Sequence, residues 1–315
     1  MVISVILPTR NPHRGRLDRT LAGLAAQSLP RDEWELLVVD NGSEPPLAPN
    51  LGSRFTGPMP RVVVEPAPGL TPARLAGIRE ARGEVLVFVD DDNVLAPDYL
   101  AVVARHFAAK PALAAAGGTV LPEWEAPPPP WSAEFHGLLA LRDLGRVERI
   151  ARGGPNVAWP EFAPVGAGLV VRSTAARAYA AAVAGDPRRR SLDRHGSSLA
   201  SGGDNDLVFT ALHAGGDIAY LPELSLTHLI PASRLDPGYL ARLNRGIMRT
   251  WVRVLALHGQ CPWPSIPRAT VAPRVLRAWW RCRAWRGPVE QIRWHGARGQ
   301  FEGQADLNLL LPAPR

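Results

Sequence analysis

The chain has 315 residues, of which 46% are hydrophobic and 21% are charged, and this composition excludes both a disordered and a fibrous protein. The length fits about two domains, or one large α/β domain with an appendage. The net charge of +7 is unevenly distributed, because residues 236–315 contain 13 arginines and 4 acidic residues. The main part of the chain is therefore not basic, which argues against a nucleic-acid-binding protein.

Cysteine content and hydropathy predict the cellular compartment of the protein. The two cysteines, Cys261 and Cys282, are too few for a disulfide framework or a zinc site. No uncharged apolar run reaches the roughly 18 residues that a transmembrane helix requires. The apolar segment Val2–Leu7 is typical of a buried strand and has no basic leader, unlike a signal peptide. We therefore expect a cytoplasmic protein.

Strand and helix patterns alternate over residues 2–110. Short apolar runs that stop at turn residues are typical of buried strands, and apolar residues that recur on one face are typical of helices. The predicted strands are Val2–Leu7, Leu36–Val39, Val62–Glu65 and Val85–Val89, and the predicted helices are Arg16–Ser28, Thr71–Arg82 and Pro97–Lys110. This alternation predicts an α/β fold with a mostly parallel central sheet that is buried on both faces.

The pattern becomes less regular after residue 110. Four consecutive prolines at 127–130 predict a surface loop in the polyproline conformation. The further predicted strands are Val165–Arg172, Ile218–Leu221 and Leu224–His228, and the further predicted helices are Ser173–Ala184 and Asp204–Ala214.

The composition changes again after Pro231, where arginine and tryptophan become frequent. Two amphipathic helices are predicted, Tyr239–His258 and Val275–Arg286. We therefore predict a first domain over residues 1–235 and a basic, Trp-rich helical extension over residues 236–315. Two interpretations of the extension stay open: peripheral contact with the inner face of the cell membrane, or packing on the first domain or on a second subunit of a homodimer.

The strongest candidate for a functional site is Asp90-Asp91-Asp92, which follows a buried strand. Open parallel sheets bind ligands beyond the carboxyl ends of their strands, where we expect these acids to be partly solvated. Carboxylates at i and i+2 around a turn can share Mg²⁺ or Mn²⁺, and a cation would relieve the repulsion among three adjacent acids. The alternative is a solvated acidic turn or a helix N-terminus, where aspartates suit the helix dipole.

Three further residues are candidates for chemistry. Asp40 ends its strand and can accept hydrogen bonds from a nucleobase, or it simply forms a turn. Asp204 follows a glycine pair and opens a helix, where it could also serve as an N-cap. His228 ends a strand and could complete a metal site with the acids, although a lone histidine is more often structural. The segment Pro8–Asn11 after the first strand is neither G-x-G-x-x-G nor a P-loop, which argues against NAD enzymes and P-loop enzymes.

The order and spacing of these residues resemble those of the glycosyltransferases of family 2. That family has the GT-A fold, a Rossmann-like fold for transferring sugars from nucleotide diphosphates. The resemblance covers about residues 2–232. The segments that carry it are VISVILPTRN, ELLVVDNGS, PGLTPARLAGIREARGEVLVFVDDDN, PVGAGLVVR, GGDNDL and LTHL.

The resemblance implies a donor site built from several strand ends. Thr9 and Asp40 correspond to positions that contact the nucleoside base, and Arg10 stands next to them. Arg74 corresponds to an arginine that contacts the nucleotide. The segment Gly166–Gly168 corresponds to backbone that lies close to both sugars.

The resemblance also implies a metal site and a catalytic base. Asp90 and Asp92 match the ends of the family's D-x-D motif, with Asp92 as the metal ligand, Asp90 near the ribose and Asp91 between them in the donor site. His228 matches a histidine that approaches the metal or the diphosphate. Asp204 matches the catalytic base. The chain departs from the family at Gly203, where a glutamate is usual, and at Leu75, where an asparagine is common, and the first departure puts acceptor binding in doubt.

The resemblance implies a metal-dependent inverting glycosyltransferase that moves a sugar from a nucleotide-diphosphate donor to a saccharide or lipid-linked acceptor, in cell-envelope or exopolysaccharide biosynthesis. No Q-x-x-R-W motif follows, which favours the addition of a single sugar. One alternative is a sugar nucleotidyltransferase, but such enzymes usually have a Gly-rich phosphate loop after the first strand. The other is an inactive membrane-associated scaffold, which leaves Asp90-Asp91-Asp92 unexplained.

Overall fold

A computed structural model describes residues 2–47, 59–194, 196 and 198–310. It groups the chain into two compact units. The first unit comprises Met1–Glu123, Ala140–Asp186 and Asp204–Ile230, and the second comprises Trp124–Leu139, Pro187–Gly203 and Pro231–Arg315. The second unit thus contains two segments from earlier in the chain besides the C-terminal residues, and the domain limits 1–235 and 236–315 stay a prediction.

The strands of the first unit form one nine-stranded sheet. They are β1 (Ile3–Thr9), β2 (Trp34–Asp40), β3 (Arg61–Val64), β4 (Val85–Phe88), β5 (Asn93–Leu95), β6 (Leu113–Trp124), β7 (Arg149–Ala151), β8 (Val170–Arg172) and β9 (Asp217–Ile230). Their order is β3-β2-β1-β4-β8-β6-β9-β5, and β7 pairs with β9. The strands β3, β2, β1 and β4 are parallel, as the strand–helix alternation predicts. Antiparallel pairing begins at β8.

Helices cover both faces of this sheet. The α-helices among the described residues are α1 (Arg14–Ala25), α2 (Leu70–Glu80), α3 (Tyr99–Ala109), α4 (Ser173–Gly185), α5 (Pro187–Arg190), α6 (Gly203–His213), α7 (Pro237–Leu257), α8 (Val271–Cys282) and α9 (Pro288–Leu310). Along β1, Val5 and Leu7 enter a core shared with α1 and α3, whereas Ile6 enters a second core shared with α2, α4 and α6. The alternation of side chains along a strand thus builds two cores on a sheet that is buried on both faces.

Two predicted strand boundaries are wrong. The segments Ile218–Leu221 and Leu224–His228 are one continuous strand, because Pro222 lies between the part of β9 that pairs with β7 and the part that pairs with β5. A proline there costs no hydrogen bond to either strand. The predicted strand Val165–Arg172 is extended only from Val170 onward. Gly168, with φ of +68°, forms a turn just before β8.

The second unit is built mainly from α7, α8 and α9. Asp236 caps α7 by accepting a hydrogen bond from the backbone N–H of Tyr239 at 2.8 Å, and a proline occupies the first turn. Glycines of α9 allow close packing on α7, since a Cβ at Gly299 would lie 2.2 Å from the carbonyl oxygen of Arg245. Ion pairs join the same two helices, among them Arg249 with Asp306.

The C-terminal helices differ from the predicted ones. The predicted helix Val275–Arg286 is displaced, since α8 begins at Val271 and ends where Arg283 adopts a left-handed conformation with φ of +56°. The helix α9 was not predicted, because its glycines and polar residues weaken the apolar period that marks a helix. Within the described ranges, no helix is both long and apolar enough to cross a membrane.

Candidate active site

The ends of neighbouring strands bring the first predicted residues together. In the parallel register of β1 and β2, Thr9 stands opposite Asp40, so both lie at the carboxyl edge of the sheet. The hydroxyl of Thr9 donates a hydrogen bond to Oδ2 of Asp91. The end of β1 is therefore tied to the acidic loop that follows β4, at the place where parallel sheets bind ligands. Arg10 follows Thr9 and is exposed.

Asp40 is a buried carboxylate that organises the loop after β2. Its Oδ1 accepts a hydrogen bond from the backbone N–H of Ser43 at 2.9 Å, and its Oδ2 accepts one from Leu47 at 3.0 Å. Burial raises the pKa of Asp40, but the hydrogen bonds from Leu47 and Ser43 outweigh it and leave the pKa below its ordinary value. Asp40 is therefore ionised at neutral pH and holds this loop in place.

Asn41 connects the end of β2 to the start of α2. Its side-chain amide donates to the carbonyl oxygens of Glu65 and Ala67 at 2.9 and 2.7 Å, and its Oδ1 accepts from Gly69 at 2.8 Å. Gly69 directly precedes α2, the helix that carries Arg74. Asn41 was not singled out from the sequence, although an asparagine before a glycine at a strand end is a turn signal.

Asp92 and His228 lie next to each other in the first unit. The pairing of β5 with β9 places Asn93 opposite His228, and Nε2 of His228 is 3.4 Å from Oδ2 of Asp92. The amide of Asn93 donates to Oδ1 of Asp92 at 3.1 Å. Asp92 is only 6% exposed, so the expectation that it is partly solvated was wrong. The reason is that β5 begins directly after the acidic turn and pairs with β9, which covers this carboxylate.

The donor set fits a divalent cation that arrives with its substrate. No group of three or more histidine, cysteine or acidic residues that could hold a metal ion is found among the described residues. Mg²⁺ and similar cations, however, often take only one or two protein ligands and complete their shell with waters and substrate phosphates. The carboxylate of Asp92 and the imidazole of His228 are such a pair, and the half-buried Asp90 and Asp91 adjoin it.

A second cluster forms around Gly166. A Cβ at this position would lie 2.8 Å from Oδ2 of Asp204 and 3.1 Å from Nη2 of Arg74, so the missing side chain makes room for both groups. Arg74 is buried, and its guanidinium carbon lies 5.9 Å from the ring centre of Phe88, the last residue of β4. Arg74 thus extends from the end of β4, two residues before Asp90, to the carboxylate of Asp204.

Asp204 lies in the first turn of α6. The helix begins at Gly203, so Asp204 is inside the helix rather than at an N-cap position before it. Its Oδ1 accepts a hydrogen bond from the N–H of Asn205 at 2.9 Å, and the side chain is half-buried. Asp206 in the same turn is fully buried. Of these two carboxylates, Asp204 is the one that a substrate can reach.

Arg142 is a residue of this cluster that sequence reasoning missed. Burial lowers its pKa, and the nearby Tyr220 and Asp204 oppose this effect through their charges. Its guanidinium donates to the carbonyl oxygens of Glu161 and Ala163 at 3.2 and 2.7 Å. No sequence signal pointed to Arg142, because it lies in a stretch without regular pattern.

Substituting Gly166 by alanine should separate the groups of this cluster. The new methyl group would lie closer to the Asp204 carboxylate than van der Waals contact allows, so the carboxylate or the backbone has to move. A displacement of about 1 Å at a reacting group can cost roughly 10²-fold in rate. We expect sugar transfer by Gly166→Ala to fall by about that factor while thermal unfolding changes little. Gly137→Ala is the control, since a Cβ there meets nothing within 4 Å, and equal rates for both variants would contradict the role of Gly166.

Comparisons with known proteins find similar sequences. A profile described as glycosyl transferase family 2 matches residues 4–160. The chain is 28% identical over 249 residues to the succinoglycan biosynthesis protein ExoM of Rhizobium meliloti, covering 77% of this chain and 72% of that protein. It is 27% identical over 155 residues to a glucosyl-dolichyl phosphate glucuronosyltransferase of Haloferax volcanii, covering 48% of each.

Solved structures resemble the fold. The crystal structure of S. aureus TarS 1-349 in complex with UDP-GlcNAc matches with a TM-score of 0.51 at 14% identity, over 100% of this chain and 93% of that one. The structure of GalNAc-T7 with UDP, GalNAc and Mn²⁺ matches with a TM-score of 0.56 at 15% identity, over 100% of this chain and 58% of that one. These structures show a GT-A fold, and the family profile shows a glycosyltransferase. Residues 4–160 of the chain belong to glycosyltransferase family 2.

Proposed function

We propose that the protein is a metal-dependent inverting glycosyltransferase that moves one sugar from a nucleotide-diphosphate donor to an acceptor hydroxyl. The observation that carries the proposal is the separation of the acids into two groups. Asp90, Asp91 and Asp92 follow β4 and adjoin His228, whereas Asp204 adjoins Gly166 and Arg74. The first group is suited to bind a cation and a diphosphate, and the second is suited to accept a proton.

The nucleoside would bind at the ends of β1 and β2. Thr9 and Asp40 lie side by side there, and the loop after Asp40 is held by the hydrogen bonds that this carboxylate accepts. In the proposal, Thr9 and Asp40 contact the base, and the exposed Arg10 offers a positive charge beside it. The guanidinium of Arg74, which reaches from Phe88 to Gly166, is placed to attract the donor diphosphate.

Asp92 and His228 would hold Mn²⁺ or Mg²⁺, with Asp90 turned to the ribose and Asp91 held by Thr9. When bound, the cation acts as a Lewis acid that stabilises the negative charge of the leaving diphosphate. Because Asp92 is buried and bonded to Asn93, its carboxylate is already fixed in one orientation before the donor arrives.

Asp204 is proposed as the general base. The acceptor oxygen forms its bond to the anomeric carbon on the face opposite the diphosphate, the bond from that carbon to the phosphate oxygen breaks, and the hydroxyl proton passes to the Asp204 carboxylate. An alcohol is a weak nucleophile, so a positioned carboxylate is needed. The absent side chain of Gly166 lets a sugar approach the carboxylate closely. A single displacement inverts the configuration of the anomeric carbon.

The acceptor is proposed to be a saccharide, free or lipid-linked, in polysaccharide assembly. The similarity to a succinoglycan biosynthesis protein over 77% of this chain supports this acceptor class. At position 203, where the family usually has a glutamate, a Cβ would lie 2.1 Å from Oδ2 of Asp193, and the N–H of Gly203 donates to Oδ1 of that residue at 3.0 Å. The glycine therefore makes room for the Asp193 carboxylate.

Hydrolysis of donor sugars tests the proposal without a known acceptor. The protein is incubated with nucleotide sugars that differ in base and in sugar, in the presence of Mn²⁺ or of a chelator, and the products are separated by chromatography. We expect free sugar and nucleoside diphosphate from one donor class, and only with the cation. Release of sugar 1-phosphate or pyrophosphate would instead indicate a nucleotidyltransferase. Hydrolysis that persists in the chelator would contradict the metal dependence.

A further inference from the structure

The helix α8 and the turn after it present an apolar surface that the rest of the second unit does not cover. Within α8, Ala278 is the one buried residue among those described. Large apolar side chains are exposed instead: Leu276 is 60% exposed, Trp280 62% and Trp285 49%. A helix of this length needs to bury an apolar face to be stable, so this exposure calls for a partner.

The exposed apolar residues form one continuous patch. Leu276 and Trp280 are four residues apart and therefore neighbours on one face of α8. The left-handed conformation of Arg283 reverses the chain and returns Trp285 to the helix, where its ring centre lies 5.2 Å from that of Trp280 and 4.9 Å from that of Trp279. The exposed patch is thus Leu276, Trp280 and Trp285, and the half-buried ring of Trp279 lies beneath it.

Arginines border this patch. We call the set of these residues the α8 surface: Leu276, Arg277, Trp280, Arg281, Arg283 and Trp285. The three arginines are exposed, and none of them forms an ion pair within the described residues. Residues 261–289 contain six arginines and no acidic residue. The positive charge of this segment is therefore not neutralised by its own neighbours in sequence.

The contact of α8 with α7 and α9 is loosely packed. A cavity of about 790 Å³ lies between these helices and is lined by Val275, Leu276 and Trp279 of α8 and by Trp294 of α9, so Leu276 borders both the cavity and the exposed patch. Interior packing therefore holds α8 only in part, and the helix has apolar area left on the outer side.

We propose that the α8 surface docks on an anionic lipid bilayer. Exposed tryptophans and a leucine bordered by arginines are the composition of helices that lie in a membrane interface. A second copy of this chain is a poor occupant, because a symmetric contact would bring the same unneutralised arginines face to face. With no spanning helix among the described residues, the contact is peripheral.

Vesicle flotation of the full chain tests this proposal. Protein is mixed with vesicles of phosphatidylcholine alone or with added phosphatidylglycerol, and co-floating protein is quantified. We expect flotation only with phosphatidylglycerol. Arg277→Gln with Arg281→Gln should weaken the apparent affinity by roughly thirtyfold, since each cation near an anionic surface contributes about fivefold. The exposed pair Arg14→Gln with Arg31→Gln removes the same charge elsewhere and should float normally.

Substitution of the exposed tryptophans is a second, independent test of the proposal. Trp280→Ser with Trp285→Ser should lose flotation even at low salt, whereas Met59→Ser with Val147→Ser, which removes apolar groups that are even more exposed, should not. Circular dichroism shows that each variant is folded. Failure of the unmodified chain to float overturns the proposal, as does equal flotation of the Trp280/Trp285 and Met59/Val147 variants. Binding to duplex nucleic acid that is lost in the arginine variant, without any flotation, would assign the surface to that ligand instead.

Discussion

Asp204→Asn is expected to reduce sugar transfer by roughly 10²–10⁴-fold, the usual contribution of a positioned general base. Asparagine keeps the shape of the side chain and can still accept the hydrogen bond from the N–H of Asn205, so α6 should start as before. It cannot accept a proton at neutral pH. Donor affinity should change little, because Asp204 acts on the acceptor. Steady-state transfer rates and calorimetric titration with a nucleoside diphosphate measure the two effects separately.

Asp206→Asn is the matched control for this experiment. Asp206 lies two residues later in the same turn but is fully buried. Its substitution should lower the free energy of unfolding, as changes at buried polar groups do, and leave transfer per folded molecule nearly intact. Near-normal transfer by Asp204→Asn together with an inactive Asp206→Asn would move the base to Asp206. Normal transfer by both would exclude a base in this turn.

Asp92→Asn should abolish the part of donor affinity that depends on Mn²⁺. The change keeps a side chain of the same size beside Asn93 and His228, which matters because this position is buried. Loss of a charged ligand from a cation that carries a diphosphate should weaken binding by roughly 10²-fold, since the cation contributes several kcal/mol. Calorimetric titration with a nucleoside diphosphate, with Mn²⁺ and with a chelator, checks this.

Asp98→Asn serves as the comparison for Asp92→Asn. Asp98 precedes α3, is exposed and makes no side-chain capping bond, so its substitution removes the same charge from the first unit away from His228. We expect its affinity for the nucleotide to match that of the unmodified protein under both conditions. If Asp92→Asn retains its Mn²⁺-dependent affinity, Asp92 is not the metal ligand.

Local sequence pattern was sufficient to predict the strands in the parallel half of the sheet. Strands β1, β2 and β4 are buried on both faces, so they are continuous apolar runs, and the residues that follow them stand out by polarity. Asp40 and Asp90 could therefore be placed at one sheet edge from the sequence, whereas Thr9 was added by the family resemblance. The start of α2 was close to its predicted position for a similar reason, since Gly69, Thr71 and Pro72 mark it.

Local sequence pattern could not predict which strands pair when they are distant in the sequence. The strand β6 consists largely of alanine and glycine in its first half, and these residues have low strand propensity. Their small size is required by tertiary contact, because a Cβ at Gly118 would lie 2.1 Å from the carbonyl oxygen of Leu224 in β9. The burial of Asp92 depends on the same kind of contact, since β5 pairs with a strand more than a hundred residues later in the sequence.

The two parts of the active site were predictable to different degrees. The proposed metal ligands Asp92 and His228 and the proposed base Asp204 stood out in the sequence at two strand ends and a helix start, and the family resemblance added their roles. The proximity of Gly166 to Arg74 and Asp204, and the electrostatic interaction of Arg142 with Asp204, depend on how loops from distant parts of the chain meet. No periodicity or spacing in the sequence contains that information.

The anomeric configuration of the first product tests the central proposal of a single displacement assisted by Asp204. The donor that the protein hydrolyses is mixed with enzyme in an NMR tube, and proton spectra are recorded before the released sugar equilibrates between its anomers. A single displacement by water predicts that the first sugar to appear has the configuration opposite to that in the donor. Release of the sugar with the donor's own configuration would contradict the proposal, because it requires two displacements or a reaction on the face of the diphosphate.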